Sequence, residues 1–459
     1  MTVRAGTAAG RWVLAATVLG SGMAFLDGTV VNVALPAIGR DLGAGLSGLQ
    51  WTLDAYLLTL GALLLLGGAL GDRYGRRRVF EVGLVAFTAA SLLCGMAPTL
   101  GALVAARAVQ GIGGALLVPG SLALLSASFV PEDRGAAVGA WSGLAGAFSA
   151  IGPFLGGWLV DAVSWRLVFL LNLPVAAVTL WVVRAHVPES RDPAAAAGGR
   201  LDVPGAVAVT VGLAGVVFAL IEGTAEGASA PVLAAAVVGL VALAAFPVIE
   251  RDRPEPLVPL ELFRSGQFSG ANATTFAVYG AFSGALFLFV VLLQQAMGYS
   301  ALEAGSAMLP VTLLLLLLSR GAGRLGQRLG PRLPMTGGPL VASAGLLVLS
   351  GVGPGTTYLT GILPGVVVFG VGLAATVAPL TAAVMAAVDE RHLGVGSGVN
   401  NAVARVAGLL SVALLPLAAG LGGVDPGQPG FAAGVRDALR ISAAVCAAGG
   451  VVAFLSVRR

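Results

Sequence analysis

Three ionisable residues stand inside long apolar stretches of this chain. Asp27 lies about two thirds of the way along the first apolar run, in AFLDGTVVNVALP. Asp54 comes early in the second run, in QWTLDAYLL, and Arg107 is about seven residues into the fourth. A carboxylate in an apolar medium is costly unless it is paired, hydrated or protonated. Burial and a nearby like charge both favour the neutral carboxyl, and this is the chemistry of a site that takes up and releases protons.

The composition indicates the surroundings of these residues. Of the 459 residues, 57% are apolar and 10% are charged, with a mean hydropathy of +0.94, whereas soluble domains carry roughly a quarter charged residues. Unbroken apolar runs of helix-spanning length indicate helices, since membrane strands alternate. We therefore predict an all-α integral membrane protein with fourteen spans: 12–35, 50–71, 79–97, 100–125, 136–160, 165–183, 203–221, 231–249, 268–292, 303–319, 334–352, 357–385, 394–420 and 438–457.

The basic residues predict the orientation. All 26 are arginines, and 20 of them fall on the side shared by the two termini, against four on the opposite side. The positive-inside rule therefore predicts that both termini are cytoplasmic. The first span is too long for a signal-peptide core and lacks a convincing cleavage site, so we expect it to be retained. The arginines do not form a basic face with aromatic residues, which argues against nucleic-acid binding, and Cys94 and Cys446 lie inside spans as packing residues.

For each ionisable residue a structural role competes with a functional one. Asp27 could make a fixed hydrogen bond at a helix kink near Gly28, and Asp54 could simply be hydrated near the membrane surface. Arg107 could form a permanent salt bridge between helices, or it could hold a carboxylate ionised until a proton or substrate intervenes. We assign Asp27, Asp54 and Arg107 to proton coupling, because ionisable residues inside a membrane mark functional sites by default.

An internal repeat predicts the domain organisation. GALGDRYGRR, residues 68–77, matches GRLGQRLGPR, residues 323–332, at an offset of 255 residues. This offset is longer than one six-helix half, and the extra residues hold two further spans between polar linkers. We expect two pseudo-symmetric six-helix halves with two additional central helices: residues 12–184 for the N-terminal half, 185–202 for a cytoplasmic linker, 203–249 for the additional helices, 250–267 for a second cytoplasmic linker and 268–457 for the C-terminal half.

Several of these stretches resemble motifs of one family. GALGDRYGRRR resembles the loop signature of the major facilitator superfamily, and RAVQGIGGA resembles its fourth-helix signature. AIGPFLGGWL is similar to the fifth-helix signature of its antiporters, and LDGTVVNVALP to the first-helix signature of the fourteen-span drug:proton antiporters. The resemblance covers nearly the whole chain and implies transport by alternating access, with Arg107 taking part in proton transfer.

The resemblance also implies a conformational switch and an antiporter motif. Asp72 would pair with Arg134 and with the N-terminus of a second-half helix when the transporter is open to the outside; the alternative for the arginines of this loop is simple anchoring. The antiporter motif would seal the cavity against leak, or would only form a packing kink. The switch residues are Gly68, Asp72, Arg73, Gly75, Arg76, Arg77 and Arg134, and the motif residues are Gly152, Pro153, Gly156 and Gly157.

The residues of the second half predict the surface that contacts the substrate. Adding the repeat offset to 27, 54 and 107 gives the apolar positions 282, 309 and 362, so ion handling belongs mainly to the first half. An apolar, aromatic wall suits lipophilic compounds better than sugars. The asparagines and Gln110 could instead serve helix packing. The predicted cavity residues are Gln110, Trp141, Trp158, Phe282, Gln294, Asn400, Asn401 and Arg405.

Together these features predict a proton-coupled antiporter that exports lipophilic drugs or secondary metabolites, cationic ones included, across a bacterial inner membrane. We expect no cofactor, the proton gradient as energy source, and a monomer whose partners are substrate, protons and lipid. An importer or uniporter of the same fold is the first alternative, and GPFLGG argues against it. A non-transporting sensor is disfavoured by the buried charges, and an enzyme by the placement of both histidines in loops; a chain without lysine cannot carry a P-loop.

Overall fold

The computed structural model describes residues 3–4, 6–191, 201–389 and 393–457, and most of these residues are helical. Within the described residues fourteen helices are long and apolar enough to cross a membrane, which confirms the predicted spans. Part of the predicted linker 185–202 lies outside the described residues. The helices are α1 Ala8–Leu42, α2 Leu46–Tyr74, α3 Arg76–Met96, α4 Leu100–Ser128, α5 Pro131–Ala162, α6 Leu167–His186, α7 Val203–Glu226, α8 Ala230–Arg251, α9 Gly266–Gln295, α10 Ala301–Leu329, α11 Arg332–Leu349, α12 Tyr358–Ala386, α13 Leu393–Ala418 and α14 Phe431–Ser456.

Most helices extend beyond the apolar runs that predicted them. The α1 helix has 35 residues, about 52 Å of helix, whereas a hydrocarbon core is about 30 Å thick. The α10 helix continues ten residues past the end of its predicted span, at 319, to Leu329. A capping box of Ser300 and Glu303 starts α10, and the helix is interrupted at Met308 just before Pro310. Hydropathy thus gives the membrane-embedded part of a helix, and local capping gives its ends.

The helices form two bundles, α1–α6 and α9–α14, as the repeat predicted. Small residues bring helix backbones together inside each bundle. Gly113 of α4 lies so close to α3 that a Cβ atom there would fall 2.5 Å from the Phe87 nitrogen. This close approach is typical of helix association in lipid, where dispersion contacts rather than water exclusion drive packing. The domain boundaries within the linkers stay a prediction.

The two additional helices lie over a junction between the halves. Buried side chains of α7 share one cluster with α2 and α13, formed in part by Leu58, Val217 and Leu409. Trp51 Nε1 of α2 donates a hydrogen bond of 2.6 Å to Glu222 Oε1 of α7. Packed against α7, α8 exposes most of its apolar surface. Among the described residues, the additional pair therefore contacts the two halves mainly through α7.

The halves are joined on the side opposite the termini. On the termini side α5 and α10 are separated, whereas α2 and α13 stay in contact there through Leu65 and Gly398. On the opposite side, Gln50 Nε2 donates to the Val412 carbonyl oxygen at 2.8 Å, and Gln294 Nε2 donates to the Val33 carbonyl oxygen at 2.9 Å. Toward the termini side, a Cβ atom at Gly139 of α5 would meet no atom within 4 Å, and the facing stretch of α10 is exposed. The space between the halves therefore opens to the termini side.

Candidate functional site

Asp27 lies in a buried polar network of the first half. Its Oδ2 accepts a hydrogen bond of 2.5 Å from Arg107 Nη1, and its Oδ1 accepts from Gln110 Nε2 at 2.9 Å and from Asn172 Nδ2 at 3.4 Å. All four side chains are fully buried. A carboxylate with an arginine and two amide donors is satisfied in its charged form, despite its position inside the membrane.

The Arg107 guanidinium is held by α1, α2 and α4 together. Its Nε donates to the Thr52 carbonyl oxygen at 3.1 Å, and its Nη1 also donates to Gln110 Oε1 at 2.7 Å. The Tyr56 ring lies 4.3 Å from Cζ, in cation–π contact. Because an arginine stays charged in proteins, this site always presents one positive charge to Asp27.

Two network members were missed by the sequence analysis. Asn172 Nδ2 donates to Ser91 Oγ at 2.9 Å, and Gln110 Nε2 lies 3.3 Å from the same hydroxyl. Ser91 in turn donates to the Phe169 carbonyl oxygen at 2.8 Å. These bonds extend the network to α3 and α6. A signal existed for Asn172, since it is a polar residue inside the apolar run LVFLLNLP.

Asp54 differs from Asp27 in having no hydrogen-bond partner among the residues that the structure describes. It is fully buried, and within the described residues neither of its carboxyl oxygens has a hydrogen-bond partner. It lies one turn after Gln50, whose side chain bonds to α13, and so it belongs to the face of α2 that meets the second half. An ionised carboxylate would be strongly disfavoured there, whereas a protonated one is compatible with the closed junction.

The predicted pair of Asp72 and Arg134 is absent from this conformation. Asp72 instead pairs with Arg76 one turn later, at 2.7 Å, and Arg134 Nε donates to the Phe129 carbonyl oxygen at 3.1 Å. The pairing was expected for the form that is closed on the termini side, whereas α5 and α10 are apart there in this conformation. Asp72 is partly exposed.

The rest of the switch loop is organised by a residue that the sequence analysis did not select. Glu189 accepts from the backbone N–H groups of Arg77 and Arg78, at 3.1 Å each, and so caps the start of α3. Gly75 makes the sharp corner between α2 and α3 with φ +111°, a conformation that side-chain-bearing residues rarely adopt, and a Cβ there would crowd Glu189. Arg77 also pairs with Glu81 at 2.8 Å.

The antiporter motif on α5 lies against both neighbouring helices. A Cβ atom at Gly157 would fall 2.5 Å from the Ala301 carbonyl oxygen and the Leu302 Cα of α10, so the two backbones touch across the halves. A Cβ atom at Gly152 or Gly156 would instead meet the Thr29 or Val30 side chain of α1, within the first half. Gly157 therefore permits the closure of the side opposite the termini, and Gly152 and Gly156 permit close packing of α5 on α1.

Two aspartates form reciprocal helix caps across this closure. Asp161, at the end of α5, accepts from the backbone N–H groups of Ala301 and Leu302 at the start of α10, at 3.1 and 2.8 Å. Asp425, in the loop after α13, accepts from the backbone N–H of Leu46 at the start of α2, at 3.1 Å. Each half thus supplies a carboxylate to the N-terminus of the other half's second helix, where negative charge is favourable. Neither aspartate was selected from the sequence.

Aromatic and cationic side chains face the space between the halves. Arg405 Cζ of α13 lies 5.7 Å from the centroid of the Phe25 ring of α1, and the Trp141 ring lies 6.4 Å from the same ring. A Cβ atom at Gly28, one turn from Phe25, would meet no atom within 4 Å. Asn401 is exposed one turn before Arg405. Phe25 was not among the predicted cavity residues.

Three predicted cavity residues are engaged elsewhere. Gln110 belongs to the buried network of Asp27, and Gln294 bonds to α1 in the closed junction. Asn400 Nδ2 donates to Asn272 Oδ1 and Thr275 Oγ1 of α9, at 3.1 and 2.7 Å, so it serves helix packing. The amide side chains satisfy helix contacts here, which the sequence alone could not distinguish from cavity positions.

Two aromatic residues also depart from the cavity prediction. Phe282 stacks on Phe369 at 5.8 Å inside the second half. Trp158 is 50% exposed together with Ile151 and Phe154 on one face of α5. That face points away from both α1 and α10 at the level where the halves are closed, so Trp158 faces lipid rather than the cavity.

Comparison with known proteins identifies the fold and family. The family model described as Major Facilitator Superfamily matches residues 17–412. The chain belongs to this superfamily. It is 37% identical to the puromycin resistance protein of Streptomyces alboniger, over 88% of this chain and 80% of that protein, and 34% identical to the tetracenomycin C resistance and export protein of Streptomyces glaucescens, over 94% and 82%. A crystal structure of a bacterial homologue of the human lysosomal transporter Spinster, inward-facing and unoccupied, has a TM-score of 0.70 at 17% identity, covering 98% of this chain and 97% of that one.

The protein is accordingly a multi-pass membrane transporter with the fourteen-span form of the superfamily fold, and not an enzyme. Resistance and export proteins recur among its relatives, including the multidrug resistance protein Stp of Mycobacterium tuberculosis, which is 36% identical over 88% of this chain and 74% of that protein. In the described residues, histidine, cysteine and acidic side chains form no group of three or more that could hold a metal ion.

Proposed function

We propose that this transporter exports a lipophilic compound from a bacterial cytoplasm in exchange for entering protons. The termini side is then cytoplasmic, as the arginine distribution predicts, and the conformation described above is open to the cytoplasm. A monomer suffices, because the cavity lies between two halves of one chain. The named resistance and export functions of the relatives support the direction of transport.

The observation that carries this proposal is the contrast between two buried carboxyl groups of the first half. Asp27 is paired with Arg107 inside the first half, whereas Asp54 has no hydrogen-bond partner in the described part of the chain and lies where the halves meet. A proton on Asp54 allows the outer junction to close, and loss of this proton to the cytoplasm disfavours closure. The transporter then turns outward with its substrate, so each ligand promotes the release of the other.

Arg107 and Asp27 supply the second protonation site of the proposal. Protonation of Asp27 would weaken its ion pair and leave Gln110 and Asn172 to rearrange around a neutral carboxyl. Because this network links α1, α3, α4 and α6, a change at one carboxylate alters the packing of the whole first half. The predicted division into two halves and a central helix pair is the mechanical basis of this proposal.

Transport in everted membrane vesicles tests the function. An interior-acid pH gradient should drive uptake of at least one dye from a set comprising neutral Nile red, anionic anilinonaphthalene sulfonate and cationic ethidium, with release of protons from the vesicle interior. Asp27→Asn should abolish the coupled proton movement. Asp437→Asn is the matched control, since Asp437 is an exposed acid paired with Arg440 on α14. Uptake that persists unchanged in Asp27→Asn would contradict the coupling assignment.

A further inference from the structure

Arg405 places a positive charge in the space between the halves. It lies twelve residues after the start of α13 at Leu393, about 18 Å along the helix and therefore near mid-membrane. Its Cβ contacts α2 beside Gly61, and its guanidinium reaches the Phe25 ring of α1 at 5.7 Å. The side chain thus extends from the second half to the first, and it is only partly buried.

This charge has no acidic counterpart in the described part of the chain. Across the described residues, no carboxylate lies within salt-bridge distance of Arg405, whereas the other deeply embedded arginine, Arg107, is neutralised by Asp27. Asp54 is the remaining buried carboxyl group of this region, and its oxygens are likewise without a partner. Contact with the Phe25 ring stabilises the guanidinium by about 0.5–2 kcal/mol but leaves its charge in place. The cavity therefore carries a fixed positive charge.

We propose that Arg405 binds an acidic group of the substrate, so that the exported compounds are lipophilic aromatic molecules bearing a carboxylate, sulfonate or acidic phenol. This inference rests on the proposed export function. A guanidinium forms strong, charge-assisted hydrogen bonds to such groups, and the rings of Phe25 and Trp141 offer aromatic surface beside it. A cationic compound is repelled by the same charge, which favours acidic over cationic substrates.

Binding to the purified full-length protein tests this assignment without requiring transport. The dissociation constants of anilinonaphthalene sulfonate, Nile red and ethidium are measured in detergent by fluorescence titration. The wild-type protein should bind the sulfonate at least tenfold more tightly than ethidium. Arg405→Gln should reduce this ratio about tenfold or more, and Arg405→Lys should retain most of it. Arg436→Gln, which removes an exposed arginine from α14, is the control for a general change in charge.

The outcomes separate the two proposals. Equal or tighter binding of ethidium by the wild-type protein, or a ratio unchanged in Arg405→Gln, would overturn the anion site. A parallel loss of all three probes in Arg405→Gln would also overturn it, because Arg405 would then support the fold rather than select charge. A protein that selects the sulfonate as expected but moves no dye under a pH gradient would contradict the export function and leave the anion site intact.

Discussion

At the scale of single residues, Asp27 and Arg107 could be predicted because a charge inside an apolar run is rare and needs an explanation. Their partners were harder to predict. Ser91 and Asn172 are uncharged, and small polar residues occur in many membrane helices for packing alone. Whether an amide such as Asn400 faces a cavity or a helix depends on helix rotation, which a uniformly apolar span does not encode.

The buried ion pair leads to a prediction about stability. Arg107→Gln should lower the free energy of unfolding by about 3–5 kcal/mol, because it leaves the Asp27 carboxylate buried without its charge partner. The double variant Asp27→Asn with Arg107→Gln should recover more than half of this loss, since both charges are then removed. Denaturant unfolding of the detergent-solubilised protein measures both values, with Arg436→Gln as control. Additive effects of the two single substitutions would argue against coupling between them.

At the scale of helices, the fourteen spans followed from hydropathy because each apolar run is long and separated by polar turns. Contacts between the halves could not be predicted from hydropathy. The glycines of α5 were selected as a motif, but only the structure shows that Gly157 touches the α10 backbone while Gly135 and Gly139 of the same helix face open space.

This difference between glycines of one helix predicts the effect of substitution. Gly157→Ala would place a methyl group 2.5 Å from the α10 backbone. The side opposite the termini then cannot close fully, and dye transport should fall at least tenfold. Gly135→Ala introduces the same methyl group where no atom lies within 4 Å and should keep transport within about twofold. Initial uptake rates in everted vesicles, corrected for protein amount, compare the two variants. Equal rates would show that close packing at Gly157 is dispensable.

At the scale of the whole molecule, the pseudo-symmetry reaches beyond the helices to the caps that join the halves. Asp161 lies in the last turn of the fifth helix of its half and Asp425 in the loop after the fifth helix of the other, and each caps the second helix of the opposite half. A cap of this kind contributes about 1 kcal/mol, so each replacement by alanine should raise the opening equilibrium of the outer side about fivefold. The rate at which a membrane-impermeant maleimide labels Asn32→Cys from outside measures this opening. Asp437→Ala, which removes an exposed acid within α14, should leave labelling unchanged.

The unpartnered carboxyl group of Asp54 predicts how the whole molecule responds to pH. In the form described above, Asp54 is buried between α2 and α13, where only the neutral carboxyl is well tolerated. Rising pH removes its proton and should therefore shift the population from inward-open to outward-open, whereas falling pH should restore the inward-open form. Asp54→Asn keeps the shape of the protonated side chain and should hold the protein inward-open across the pH range, with little pH response.

Distances between spin labels on the outer ends of α5 and α10, measured by pulsed electron resonance at several pH values, report this equilibrium. A wild-type distance distribution that does not change with pH, or one whose pH response survives in Asp54→Asn, would place the coupling elsewhere, first of all in the Asp27 network.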